Sequence, residues 1–158
     1  MSLQNRVNPY GEIVAIASRG AWMGNRGCLH GADRQLTSTL WRRKAWIICE
    51  LSYHDRRRDV MAPGEYTELF FLDEATALAA GHRPCGTCRK AALKDFIAAW
   101  RSLDAPSGSG LSVLDDTLHL QRTAVIGKAA LPSADVASIP NGCMIALEPT
   151  RSRFARST

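Results

Sequence analysis

The chain reads as an α+β protein, a small antiparallel sheet packed by one amphipathic helix, and three observations predict it. Stretches with strand character gather in the first half of the chain, ahead of any long helical pattern, which speaks against an alternating βαβ order. From Thr87 the period changes, with Ala92, Leu93, Phe96, Ile97, Trp100 and Leu103 recurring at i, i+3, i+4 and i+7, the stripe of an amphipathic helix over 89–103. Between these two regimes lies the only Cys-x-x-Cys of the chain, Cys85 and Cys88.

Taken in order, residues 12–17 alternate weakly around Ile13, Val14 and Ile16 and predict a first strand. Residues 20–31 are glycine-rich and read as a loop or tight hairpin carrying Cys28 and His30. The stretch 40–53 is the best strand candidate, with Trp46 and Ile48 on one face and Ile47, Cys49, Leu51 and Tyr53 on the other. A turn at 54–56 and a return strand over 57–61 would make it a hairpin, basic at Arg42, Arg43, Lys44, Arg56, Arg57 and Arg58. Residues 66–72 predict a further strand. Asp73 then caps a short alanine-rich helix that Gly81 ends. Past the amphipathic helix, the Ser/Gly-rich residues 104–110 form a linker, and Asp115 or Asp116 caps a helix running to about Val125. Cys143 opens a last short strand, and the basic tail has little apolar content. The domain organisation is therefore an α+β module over 1–103, the linker, and a helical, turn-rich C-terminal appendage over 111–158.

At 158 residues, 46% hydrophobic and 22% charged, the chain can bury a core without a metal and is not a disordered one. No apolar run reaches the length of a membrane span, and the polar N-terminus lacks signal-peptide features, so a cytoplasmic setting without membrane contact is expected. Five cysteines in a reducing setting point to metal ligands and packed thiols over a disulfide framework. The net charge of +5 makes a nucleic-acid footprint worth testing.

Two thiolates two residues apart, with Gly86 at the turn, form half of a tetrahedral zinc site. A thioredoxin-like redox pair would follow a strand and open a helix within a βαβ unit, whereas here the segment before Cys85 ends a helix. Cys88 would lie in the first helical turn, where the helix dipole favours a thiolate. Cys49 is the best third ligand, its alternative being a buried small hydrophobe. The fourth is a choice between His30, His54 and Cys28, with His30 first because a loop can carry it to the knuckle. His82 and His119 read as surface or hydrogen-bonded residues.

The segment from Phe70 to Arg89 resembles the N-terminal metal-binding domain of the Ada family of bacterial DNA alkylation-repair proteins. The shared pattern is Phe70, Phe71, Glu74, Ala75, Ala79, Ala80, Gly81, Arg83, Pro84, Cys85, Cys88 and Arg89. The resemblance implies a zinc site completed by two upstream cysteines in a Cys-x-x-x-Cys segment, the first of which accepts a methyl group from DNA phosphate. This chain has no Cys-x-x-x-Cys, and His54 falls one position after the place of the second cysteine.

Three functional readings follow. The first is a DNA-interacting zinc protein whose phosphate contacts come from Arg42, Arg43, Lys44, Arg56, Arg57, Arg58, Arg89 and Lys90. Within it, a zinc-bound Cys49 thiolate could accept an alkyl group. The second is a metal-dependent hydrolase or nuclease using His30 and His119 with Asp33 or Asp116, although no His-Glu-x-x-His spacing occurs. The third is a non-catalytic scaffold or partner-binding module.

Overall fold

The computed structural model describes residues 2–54, 59–103, 110–125, 134–141 and 143–146. Within them, six short strands form one sheet: β1 (Arg6–Val7), β2 (Ile13–Val14), β3 (Trp22–Asn25), β4 (Ile47–Cys49), β5 (Leu69–Phe71) and β6 (Arg83–Pro84), in the order β2-β1-β5-β3-β4-β6. Helix α1 (Glu74–Ala79) connects β5 to β6, α2 (Lys90–Arg101) follows β6, and α3 (Leu111–Val125) follows α2. The architecture is α+β. The centre of the sheet is antiparallel, since β3 pairs that way with both β4 and β5. The sheet as a whole is mixed, because β1 joins β5 and β6 joins β4 in parallel.

Several elements differ from their sequence-based boundaries. Of 40–53 only Ile47–Cys49 is strand: the amides of Arg42 and Arg43 both donate to Arg26 O, and that of Trp46 turns back to Lys44 O. The glycine-rich stretch, in contrast, contains a central strand. At Gly24 a Cβ would sit 2.0 Å from Ile47 O, so the missing side chain is what lets β3 lie against β4. The proposed turn and return strand fall partly on 55–58, outside the described residues. The described end, Met61, is buried in the left-handed region at φ 57, its amide donating to Glu68 Oε2. Asp73 caps α1 as expected, accepting from Thr76 N at 2.7 Å, and Gly81 at φ 80 ends it. Helix α3 starts at Leu111, ahead of Asp115 and Asp116, because its first turn is closed on Gly110 O. Residues 143–146 are not strand.

The pleat sorts the sheet into two faces. Ile48, Leu69, Phe71 and Val7 share one core with Leu29 and with Ala77 and Ala80 of α1 and its cap. Met23, paired with Cys49 across β3 and β4, belongs to the other face with Cys85, flanked by Ile47, Phe70 and Cys88. Helix α2 meets the sheet at β6 and buries Leu93, leaving Phe96, Ile97 and Trp100 half-buried. Helix α3 docks through fully buried Leu114 and through Asp115, whose carboxylate takes a two-bond fork from Arg83 at 2.8 Å each.

Candidate metal centre

Two chain segments, the end of β4 and the knuckle after β6, bring three thiols together. Cys49 ends β4, with its direction fixed by the antiparallel ladder to Met23. Cys85 follows β6, and its amide donates to Ile48 O at 2.9 Å, which extends the β4–β6 pairing by one bond. Beyond it the backbone folds into a knuckle: Thr87 N–H donates to Cys85 Sγ at 3.4 Å, and Arg89 N–H to Cys85 O at 3.1 Å. Cys88 comes round to the same side, one residue before the Arg89 cap of α2 and so just outside the helix expected to contain it. The three sulfur atoms lie within 4.8 Å of one another. Gly86 has no positive φ, and a Cβ there would rest 3.4 Å from Leu93, so neither left-handed geometry nor a severe clash reserves the turn for glycine.

The local electrostatics set the three thiols apart. Burial pushes the Cys49 thiol well up, reinforced by repulsion from Cys85 and Cys88. Burial also raises Cys88, against the Glu50 amide that donates to it. At Cys85 the burial is outweighed by amide hydrogens from Cys88 and Thr87, and the net effect is to lower its pKa. Deprotonating all three in one apolar corner without a cation would be costly. A cation with affinity for sulfur removes that cost, and these three residues could hold a metal ion. Three sulfur donors on hydrogen-bonded backbone, one of them accepting from Thr87 N–H, are a set that a thiophilic metal ion could bind once they are deprotonated.

Other sequence-derived candidates lie apart from the cluster. His30 is buried with both ring nitrogens engaged, Nδ1 with Thr67 Oγ1 at 2.6 Å and Nε2 with Ala62 O at 3.2 Å. It holds a loop together; its imidazole is not among the gathered donors. Cys28 Sγ donates to His30 O at 3.6 Å, and His54 stacks edge-on against Tyr53 with centroids 4.1 Å apart. The hydrolase arrangement of His30, His119, Asp33 and Asp116 does not assemble, since among the described residues the three cysteines are the one group of this kind. Asp116 instead pairs with Lys44 at 2.7 Å.

The basic residues have divided roles. Arg42, Arg43 and Lys90 are exposed. Arg89 is not part of a free basic surface: its guanidinium pairs with Glu74 at 2.6 Å and lies 4.1 Å over the Trp22 ring. Arg56, Arg57 and Arg58 lie outside the described residues.

A second polar assembly was not legible in the sequence. The Trp46 ring has the Arg26 guanidinium at 3.9 Å and that of Arg122 at 4.2 Å from its centroid. Arg26 Nε donates to His82 Nε2 at 3.2 Å, and Arg122 Nη1 and Nη2 donate to Gly81 O and Lys44 O. Burial, helped by the neighbouring Arg122, pushes Arg26 down to about 9. Arg122 falls to about 10, again mainly through burial. Burial first, then Arg26 and Arg122, hold His82 well below the ordinary imidazole range. Glycines on both sides of Arg26 were a visible signal of a close approach, but nothing local identified its partner 56 residues away.

No family model matches the chain, and no curated protein or solved structure matches it at a significant level.

Proposed function

We propose that the protein is a zinc protein in which Cys49, Cys85 and Cys88 hold a structural ion that ties β4, β6 and the start of α2 together. The observation that carries this reading is the convergence of three thiols from two segments, the end of β4 and the Cys85–Cys88 knuckle, to within 4.8 Å. The resemblance of the segment around Cys85 and Cys88 to the Ada metal-binding domain also implies zinc there, although in that family two upstream cysteines complete the site. Purified protein should contain one zinc per chain, and a Cys85→Ser, Cys88→Ser double variant should contain none. Retention of full zinc content by that variant would sink the site. Chelation should release amide protection at 47–49 and 83–93 while most helical signal remains, because the opposite core is built without thiols.

The accompanying reading is contact with DNA phosphates, related to alkylation repair. It is favoured by a groove beside the knuckle, lined by Lys90, Lys94 and Arg101 with no acidic residue, in a chain of net charge +5. Binding to duplex DNA should weaken steeply with salt, vary little with sequence, and drop in a Lys90→Glu, Lys94→Glu variant. Salt-independent binding, or none at low salt, returns these residues to a solvated role.

A further inference from the structure

We propose that the ion held by Cys49, Cys85 and Cys88 leaves one coordination position to a ligand from outside the chain, and that this ligand is the thiolate of a small anionic thiol. The inference rests on the zinc reading above and deepens it.

The donor inventory supplies the first step. Among the described residues, three ligand atoms gather and no fourth histidine, cysteine or carboxylate joins them. The side chains that could have done so are engaged or apart. Recruiting His30 would break its bonds to Thr67 and Ala62 at a buried position, and each lost bond leaves a buried polar group that costs about 1–3 kcal/mol. Cys28 is bonded to His30 O, His54 is stacked on Tyr53, and Cys143 is exposed and outside the group. With three ligands found among the described residues, the fourth corner of a tetrahedral ion goes to a donor from elsewhere.

The surroundings select the ligand. Cys49 and Cys85 are buried and Cys88 is half-buried, so a ligand approaches past Cys88. The cluster is walled by Met23, Ile47 and Phe70, an apolar and polarisable setting that favours sulfur over a hard oxygen donor. Next to the knuckle, a groove of about 440 Å³ is lined by Gly86, Leu93 and Ile97 together with Lys90 and Lys94. A thiol bound to the ion with its carboxylates or phosphates extended over Gly86, between Cys85 and Cys88, would turn its charged end toward Lys90 and Lys94. Binding forms one metal–sulfur bond, and the thiol proton passes to solvent; no oxidant or reductant is involved.

The test uses the full chain loaded with cobalt(II), whose visible spectrum reports its ligands. One cobalt per chain should bind. Titration with mercaptosuccinate should shift the ligand-field bands and raise the sulfur-to-metal charge-transfer intensity to saturation, with cobalt retained after gel filtration. Cysteamine, a cationic thiol, should need a higher concentration. The Lys90→Glu, Lys94→Glu variant should weaken the mercaptosuccinate response by about tenfold, as expected for the loss of roughly 1.4 kcal/mol of charge attraction, and strengthen the cysteamine response. A four-coordinate spectrum that ignores both thiols means that the chain closes its own site, and overturns the proposal while leaving the metal reading intact. Equal response to both thiols overturns the anionic specificity, and loss of cobalt to the thiol overturns the shared coordination. A chain that takes up no cobalt or zinc fails one level lower, at the metal site itself.

Discussion

Ile48 and Cys49 are neighbours in β4, yet they belong to regions that handle burial in different ways. On the Ile48 side, Val7, Leu29, Leu69 and Phe71 form an apolar core, and the charged groups beside it find partners within the chain. Arg26 has His82 Nε2 and Gly11 O, Arg122 has two carbonyls, and both guanidinium groups lie over Trp46. On the Cys49 side the cluster is small, and its thiols crowd one another without any internal group of opposite charge. One region meets most of its buried charge within the chain, with His82 Nδ1 and Arg122 Nε left unpartnered, whereas the other gathers three sulfur donors that could hold a cation. A bound metal would act on the knuckle and the start of α2, and β5 touches that cluster through Phe70 while its Leu69 and Phe71 belong to the opposite core.

The largest expected effect comes from the complete region. Trp46 is fully buried and carries both guanidinium contacts, so Trp46→Ala should cost about 3–5 kcal/mol in urea unfolding. If the regions are independent, folded variant protein still binds one zinc. Loss of zinc in proportion to stability would show that they fold as one unit and break the comparison.

A smaller effect is expected where the regions meet. Arg83 is 4% exposed, two residues before Cys85, and is forked to Asp115 of α3. Asp115→Ala leaves that guanidinium buried without its partner and should cost about 3 kcal/mol, the lower end for a broken buried pair. Because β6 leads directly into the knuckle, zinc affinity should fall as well, measured by competition with a chromophoric chelator. An Arg83→Met, Asp115→Leu double variant should regain much of the stability, since it removes both buried charges together. Unchanged zinc affinity in Asp115→Ala would mean that the knuckle is insulated from the α3 contact.

What the sequence disclosed follows the same division. The knuckle was readable because its chemistry is local: Cys85 and Cys88 are spaced for one ion, and Asp73 and Gly81 mark the ends of the helix before it. Cys49 was readable through strand alternation, which placed it on a defined face. Met23 beside it was not, since β3 is hidden in a glycine-rich stretch where Gly24 serves a close approach to β4 and not a turn. Two-residue strands such as β1 and β6 carry no periodicity, so the parallel pairings that make the sheet mixed had no local signal. Arg26, His82 and Arg122 each read as an ordinary polar residue. Their meeting around Trp46 is purely tertiary, and a motif-based reading gave His82 no role because it follows Gly81 at a variable position. His30 misled for the opposite reason: a histidine in a loop beside a cysteine looks like a ligand, while its role here is to bridge Thr67 and Ala62.

The smallest effect is a proton. Arg26 Nε donates to His82 Nε2, so the neutral ring must carry its hydrogen on Nδ1. Burial and the two nearby guanidinium groups hold its pKa well below 6.5 in the folded protein. The unfolded chain therefore takes up this proton first as pH falls. The stability contributed by keeping His82 neutral is fully present above about pH 6.5 and is lost as pH falls from there toward the depressed folded value. The slope from this one group is at most about 1.4 kcal/mol per pH unit. Two-dimensional NMR of metal-free protein with labelled imidazole should show His82 as the Nδ1–H tautomer, unmoved from pH 7.5 to 5.5. A short histidine peptide titrates over the same range. His82→Gln keeps a polar group near Arg26 but cannot titrate, and should flatten the acid limb of the stability curve by that one-proton slope. A His82 resonance that protonates near pH 6.5 in the folded state would show that the guanidinium cluster opens to water, and the region would then be no more self-sufficient than the thiols across the sheet.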